Sequence, residues 1–369
     1  MALDEPTQRA QRPVDTGRRL RALWDGGSLL LTLPERGTLS VGRGEMWGTI
    51  PDAELDALAD SGQLMRDEVL AAQAERLLND PRATYPLHAF VPEWLELSKL
   101  ETATKLPAPD GAHVSEALRA AMLSEVDAYV GFVATQGGTI RGLLTSDALF
   151  ANGPLAAHYG VANAGSNPLA PTPAGSVGCV GVLTLGAVLV AHSGNKEPSP
   201  THCGKLVRTR LLCDVVVPPP PGVSTDLPAG VASTDLRVRL LEHQQNPACA
   251  GCHDRLDPIG FAVLEFDHLG RRSFAAADVS GTVADIDAGK TVSFSNVTQL
   301  AQQLGASSKV RSCFVQQLVR QVTGSEVGSD SPTLAQMLEG VGDDAGNTRQ
   351  AILKLATSDW MRFHDPVTQ

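Results

Sequence analysis

The spacing of apolar residues predicts helices over much of the chain. In the clearest stretch, apolar residues recur every three or four positions, which places them on one helical face: Leu118, Met122, Val126, Tyr129 and Val133. Similar spacing predicts shorter helices after residues 51, 69, 310 and 347, and one helix from Ala83 to Leu100 that contains Trp94. The pattern therefore predicts a mainly α protein whose first half is a multi-helix domain.

The middle of the chain differs, because Gly, Pro, Ser and Thr dominate between Asn152 and Leu236. The run Pro218 to Pro221 predicts a stiff polyproline spacer. A compact segment follows, and the stretches 282–287 and 290–295 flank Ala288-Gly289 like a short β-hairpin. We expect an irregular leader (1–45), a helical domain (46–165), a proline-rich connector with a compact domain (166–300) and a C-terminal helical domain (301–369).

Composition and charge narrow the class of protein. The 369 residues carry a formal net charge of −11 and are 43% hydrophobic, which is typical of a globular protein and argues against a basic nucleic-acid-binding surface. No apolar run is long enough for a transmembrane helix, and only residues 29–33 follow the arginine-rich start, so neither a membrane span nor a secretory signal is predicted.

The strongest chemical motif is Cys249-Ala250-Gly251-Cys252-His253, a C-x-x-C-H sequence typical of covalent haem attachment. Cysteines three residues apart on one helical turn can reach the two vinyl groups of one haem c, and His253 can bind the iron as proximal ligand. The motif leaves three alternatives open, namely a thiol redox pair, half of a zinc site and a vestigial motif.

Residues near the motif complete the predicted site. A backbone carbonyl in the stretch from Pro258 to Gly260 can accept the Nδ1 proton of His253. The sixth iron ligand is open; the candidates are Met337, His243, Met361 and His268, with His268 expected in a surface turn. The neighbouring acidic cluster is expected to be a solvated face or a docking surface: Asp254, Asp257, Glu265 and Asp267.

Four cysteines remain outside the motif, and they permit three disulfide pairings. Haem c is attached outside the cytoplasm, where disulfides persist, and we expect Cys213 to pair first with Cys313. The alternative is that all four, which include Cys179 and Cys203, are buried apolar thiols. Walker A, G-x-S-x-G, H-E-x-x-H and G-x-G-x-x-G motifs are all missing, so no catalytic residue is predicted.

The motif and its surroundings resemble a known family. The stretches 246–253, 256–261 and 266–271 are similar to the haem motif of planctomycete-type cytochrome c domain proteins, which also occur in myxobacteria. Further stretches resemble the domains of unknown function 1592 (51–55, 79–82, 94–95 and 155–161), 1588 (181–184, 199–200, 204–208 and 211–213) and 1585 (310–363), so the resemblance spans 46–363. Two departures, at Cys179 and Cys203, suggest a bridge peculiar to this chain.

The resemblance implies an exported or periplasmic c-type haem protein that transfers electrons to or from a redox partner protein. Because family members begin with an export signal, the resemblance also leads us to expect a truncated start. Two other functions remain open at this stage. One is a haem oxidoreductase or peroxidase with an open distal site, and the other is a non-enzymatic cell-surface assembly protein whose haem is structural or lost.

Overall fold

The computed structural model describes residues 19–24, 27–32, 51–151, 153–161, 172–173, 178, 180–218, 235–273, 278–323, 327–329, 331–341 and 346–358. These residues are mainly helical, and the predicted fold class is confirmed. The helices are α1 (Ala53–Asp60), α2 (Asp67–Leu78), α3 (Tyr85–Trp94), α4 (Ser98–Thr102), α5 (Glu116–Thr135), α6 (Ile140–Thr145), α7 (Gly153–Tyr159), α8 (Gly186–Ala191), α9 (Pro200–Leu206), α10 (Leu236–His243), α11 (Pro247–Gly260), α12 (Val297–Ala306), α13 (Ser308–Thr323), α14 (Pro332–Val341) and α15 (Thr348–Thr357). Among the described residues, no helix is both long and apolar enough to cross a bilayer.

Within the described part of the chain, the strands form three antiparallel pairs. They are β1 (Arg19–Trp24) with β2 (Gly27–Thr32), β3 (Ala148–Leu149) with β4 (Thr172–Pro173), and β5 (Gly281–Asp287) with β6 (Lys290–Phe294). The last pair is the predicted hairpin: Asp287 pairs with Lys290 across the turn, where Gly289 takes a φ of 68°. The β1–β2 pair lies where the sequence predicted an irregular leader. Residues 219–221 of the predicted proline spacer lie outside the described residues.

Helix α5 shows how the local pattern forms the core. Ser115 begins the helix by accepting a hydrogen bond from the backbone N–H of Leu118, and the predicted stripe from Leu118 to Val133 is buried. Most buried apolar residues belong to one large cluster that spans both halves of the chain. Within it, Phe90 and Trp94 of α3 stack on each other and meet the edge of Phe314 in α13. The C-terminal helices therefore share a core with the first domain.

The single helix predicted from Ala83 to Leu100 is two helices, α3 and α4. Helix α3 ends at Trp94, and Glu96, two residues later, adopts a left-handed φ of 56°. The carboxylate of Glu96 is bound by Lys99 and by Arg210, which belongs to a distant segment. A long-range ion pair therefore holds a conformation that the local sequence does not predict.

Candidate functional site

The C-x-x-C-H motif lies on helix α11, and its three reactive side chains share one face. Cys249, Cys252 and His253 lie within an arc of roughly 100° on the helix surface, because each residue advances the helix by about 100°. Cys249 is buried, whereas Cys252 and His253 are half-buried, and both cysteines are free thiols. The Sγ atom of Cys252 lies 3.6 Å from the carbonyl oxygen of Val217.

Helix α9 packs closely against α11, and two glycines permit this contact. A Cβ atom at Gly204 would lie 2.0 Å from the carbonyl oxygen of Leu256, and one at Gly260 would lie 1.8 Å from that of Pro200. Any larger residue at either position would force the two backbones apart. This close approach brings the hydroxyl of Thr201 in α9 to the side of α11 that carries the motif.

Asp257 is the central acceptor of the site. Its carboxylate is fully buried and accepts hydrogen bonds from His253 Nδ1 at 2.8 Å, Gln244 Nε2 at 3.1 Å and Thr201 Oγ1 at 2.7 Å. The hydrogen bond to Asp257 raises the pKa of His253 and outweighs the opposing effect of burial. Because Nδ1 is held in this way, Nε2 is the nitrogen available to a metal.

The sequence predicted that a backbone carbonyl from Pro258 to Gly260 accepts the Nδ1 proton of His253, but the acceptor is the carboxylate of Asp257. The carbonyl oxygen of Pro258 faces Gly281 of β5, and the Nδ1 atom of His253 bonds to the Asp257 side chain. The pair sits at positions i and i+4 of one helix, where side chains are neighbours. That spacing was visible in the sequence, whereas the contribution of Thr201, 56 residues away, was not.

His243 touches His253 edge to face, with ring centres 4.7 Å apart and planes at 81°. An iron bound on opposite sides by two imidazoles at about 2 Å would hold their centres roughly 6 Å apart. The structure therefore does not place His243 as a trans ligand. Burial, and then the charge of His253, lower the pKa of His243, and its Nδ1 atom is buried without a partner among the described residues.

The other candidate ligands lie elsewhere. Met337 is buried in α14, which packs on α13 and α15, whereas α11 packs on α9, α10 and β5. The expectation that His268 lies in a surface turn was wrong, because its side chain is buried and its Nε2 contacts the Leu106 carbonyl at 2.8 Å. Met361 lies outside the described residues.

The acidic residues near the motif do not form one solvated face. Asp257 and Glu265 are buried, and Glu265 pairs with Arg272 and accepts from the backbone N–H of Val297. Asp267 caps its own turn and pairs with Arg271. Burial next to a positive or hydrogen-bonding partner gives two of these carboxylates structural roles that composition alone does not indicate.

A disulfide joins Cys213 to Cys313, the pair expected first from the sequence, with their Cα atoms 5.4 Å apart. Cys203 is a buried free thiol, and burial raises its pKa to about 12. Cys179 lies outside the described residues. The disulfide is consistent with folding in an oxidising compartment.

The donor set fits a covalently attached haem. Two free thiols and an imidazole nitrogen face the same side of α11, and the second nitrogen of that imidazole is already bound to a buried carboxylate. Haem c requires this set, namely two thioether anchors and one oriented proximal histidine. The fold and the site therefore define a mainly helical protein with a C-x-x-C-H helix.

Comparison with known families agrees with this class. Residues 45–161 match the family model described as "Protein of unknown function (DUF1592)", and residues 179–274 match the one described as "Protein of unknown function (DUF1588)". The two matches are consecutive and together cover more than half of the chain. The chain belongs to the planctomycete cytochrome c family, of which these are domains. Neither a curated protein nor a solved structure matches it.

Proposed function

We propose that this protein binds one covalent haem c and transfers single electrons. The observation that carries the proposal is the shared face of Cys249, Cys252 and His253 on α11, with His253 held by the buried carboxylate of Asp257. Cys249 and Cys252 act as thioether anchors, and His253 acts as the proximal ligand.

When bound, haem c supplies a one-electron iron couple. Asp257 holds Nδ1 of His253, which leaves Nε2 as the ring nitrogen that would bind the iron. Thr201 and Gln244 hold the carboxylate itself, which fixes the direction of the ring. Cys249 and Cys252 would hold the group to α11 through two thioether bonds.

The second candidate function is a haem oxidoreductase with an open distal site. It is favoured by the Asp257–His253 hydrogen bond, which would increase the basicity of His253 as a ligand. It is also favoured by the edge-to-face contact of His243 with His253 and by the location of Met337 on α14, which packs on α13 and α15. Cyanide added to the oxidised protein separates the two functions. A large Soret shift at micromolar cyanide supports the oxidoreductase, and an unchanged spectrum supports electron transfer through a six-coordinate iron.

We place the protein in the periplasm or outside the cell, with a redox protein as its partner. The Cys213–Cys313 disulfide supports an oxidising compartment, and haem c attachment is expected in the same compartment. We also propose the division predicted from the sequence, namely a leader (1–45), a helical domain (46–165), a connector with a compact domain (166–300) and a C-terminal helical domain (301–369).

A pyridine haemochrome spectrum of the exported protein, produced with a cytochrome c maturation system, tests the proposal. We expect one haem per chain that remains on the protein in a denaturing gel. The double variant Cys249→Ser/Cys252→Ser is expected to lose the stain, and Cys203→Ala, which removes a buried thiol elsewhere, is expected to retain it. Folded protein without covalent haem would refute both haem functions and leave a thiol or vestigial site.

A further inference from the structure

A cavity away from the C-x-x-C-H motif is lined by the chain around α4 and the chain around α9, and we call it the lysine cavity. Its volume is about 350 Å³, which is in the range of small-molecule sites. Its described lining residues belong to the stretches 96–105 and 191–206, both of which the structure describes without a gap. The three reactive residues of the motif do not line it, so a ligand here is independent of the proposed haem.

The ammonium group of Lys105 on the cavity wall is half-buried and is bonded to no carboxylate among the described residues. Its Nζ atom donates to the backbone carbonyls of Ser193 and Gly194, both at 2.8 Å. These two bonds leave one of its three N–H donors for another acceptor. A charge that is partly removed from water is normally paired with an opposite charge. An anion in the cavity would supply that pairing.

The backbone fixes Lys105 in this position, and a second cation lies close to it. The N–H of Leu106 donates to the carbonyl of Asn195 at 2.7 Å, which ties the segment to one edge of the cavity. Arg119 of α5 donates to the carbonyls of Leu100 and Ala103. Burial, and then the charge of Arg119, lower the pKa of Lys105 to about 8. The charged form of Lys105 therefore lacks the stabilisation that a bound anion would give.

Three more polar side chains reach the cavity. Lys99 of α4 and both His202 and Lys205 of α9 line it, and all three are exposed. Partial removal from water, and then the charges of Lys99, Lys205 and Lys105, lower the pKa of His202, so the three ammonium groups converge on this ring. Glu96, the one carboxylate among the described lining residues, is already shared by Lys99 and Arg210.

We propose that the lysine cavity binds the phosphate group of a small molecule, either free phosphate or a phosphate monoester. Lys105 and Lys205 supply charge-assisted hydrogen bonds from two separate segments of the chain. A phosphate group has oxygens on every side and can accept from both segments, whereas the two oxygens of a carboxylate lie in one plane. The cavity is larger than a phosphate ion needs, which leaves room for the organic part of an ester.

Isothermal titration calorimetry of the full 369-residue chain at low salt and pH 8 tests the proposal, with inorganic phosphate, glycerol 3-phosphate and acetate as probes. We expect saturable heat from both phosphates and much weaker binding of acetate. Equal affinities for the two phosphates identify free phosphate as the ligand, and tighter binding of glycerol 3-phosphate identifies a monoester. The proposal is overturned if neither phosphate binds at millimolar concentration, or if acetate binds as tightly as phosphate.

Proton uptake tests the place of Lys105 in the site. An anion beside Lys105 favours its charged form, so binding at pH 8 is expected to take up as much as roughly half a proton. A phosphate monoester has its second pKa near 6 and exchanges almost no proton itself at this pH. The heat of glycerol 3-phosphate binding is therefore expected to differ between two buffers of different ionisation enthalpy. Lys105→Gln is expected to lose this difference, and a heat independent of buffer in the parent would contradict the site.

The Lys205→Gln variant is expected to weaken binding about tenfold, as for the loss of one charge-assisted hydrogen bond. Lys354→Gln, which removes an exposed lysine of α15 outside the cavity, is the matched control and is expected to bind like the parent. Circular dichroism checks that each variant is folded. Equal weakening by Lys205→Gln and Lys354→Gln would show that the anion responds only to the overall charge, and the proposal would be wrong.

Discussion

Replacing Glu125 by glutamine is expected to remove a pH-dependent loss of stability. Glu125 lies on α5 with no exposed surface, and its Oε2 accepts hydrogen bonds from Tyr159 Oη at 2.8 Å and from the backbone N–H of Gly186 at 3.3 Å. Its Oε1 atom has no partner among the described residues. Burial raises the pKa of Glu125 from 4.5 to about 8, although both hydrogen bonds act to lower it.

The direction of the effect follows from proton binding. Between pH 4.5 and 8 the folded protein keeps the proton on Glu125, whereas the unfolded chain releases it, so the free energy of unfolding falls as the pH rises. Each pH unit in this window costs about 1.4 kcal/mol, which gives roughly 3 kcal/mol between pH 5 and 7 and roughly 5 kcal/mol over the whole window. Glutamine is neutral at every pH and retains an oxygen that accepts from Tyr159 and Gly186.

Urea unfolding at pH 5, 6, 7 and 8 measures this difference. Glu125→Gln is expected to match the parent within about 1 kcal/mol at pH 5 and to exceed its stability by several kcal/mol at pH 8. Glu116→Gln, an exposed position on the same helix, is expected to differ from the parent by less than about 0.5 kcal/mol at every pH. If the gap between Glu125→Gln and the parent is the same at pH 5 and pH 8, Glu125 is not held protonated and our account of it is wrong.

Two further predictions concern helix α11. Gly204→Ala is expected to destabilise the fold by more than about 3 kcal/mol in thermal melting, because its Cβ would overlap a carbonyl of α11. Gly251→Ala is the control: its Cβ would have nothing within 4 Å, so this variant is expected to be as stable as the parent or more stable. Asp257→Asn is expected to raise the reduction potential of the haem-loaded protein by tens of millivolts, because His253 loses an anionic partner. Exposed Asp254→Asn is its control in the same redox titration, and equal shifts in the two variants would contradict the role of Asp257.

Local features of the fold were predictable from the sequence. The stripe beginning at Leu118 predicted α5, and Asn347 caps α15 by accepting from the backbone N–H of Gln350, because helix spacing and capping depend on residues within one turn. The hairpin followed from the turn at Gly289 for the same reason. These features require no knowledge of distant contacts.

The features that sequence did not predict depend on distant partners. The break at Glu96 is held by Arg210, which is 114 residues away, and the burial of His268 depends on a carbonyl 162 residues away. Asp257 looked like part of an exposed acidic face, because its burial results from the glycine contact between α9 and α11. Glu125 is likewise buried because α7 and α8 pack against its position on α5.

The π-helical turn Val207–Leu211 contacts both helix α11 and the chain at Glu96. Arg208 is 1% exposed and reaches inward, where it binds Asp214 at 3.0 Å and the carbonyl of Arg255 in α11 at 3.3 Å. Arg210, two residues later, reaches the other way to Glu96. Residues two apart point to nearly opposite sides of a helix, so one turn can fix both regions with two arginines. Because buried Arg208 binds a carbonyl of α11 only two residues from His253, the rigidity of the C-x-x-C-H face of α11 depends on this turn as well as on Asp257.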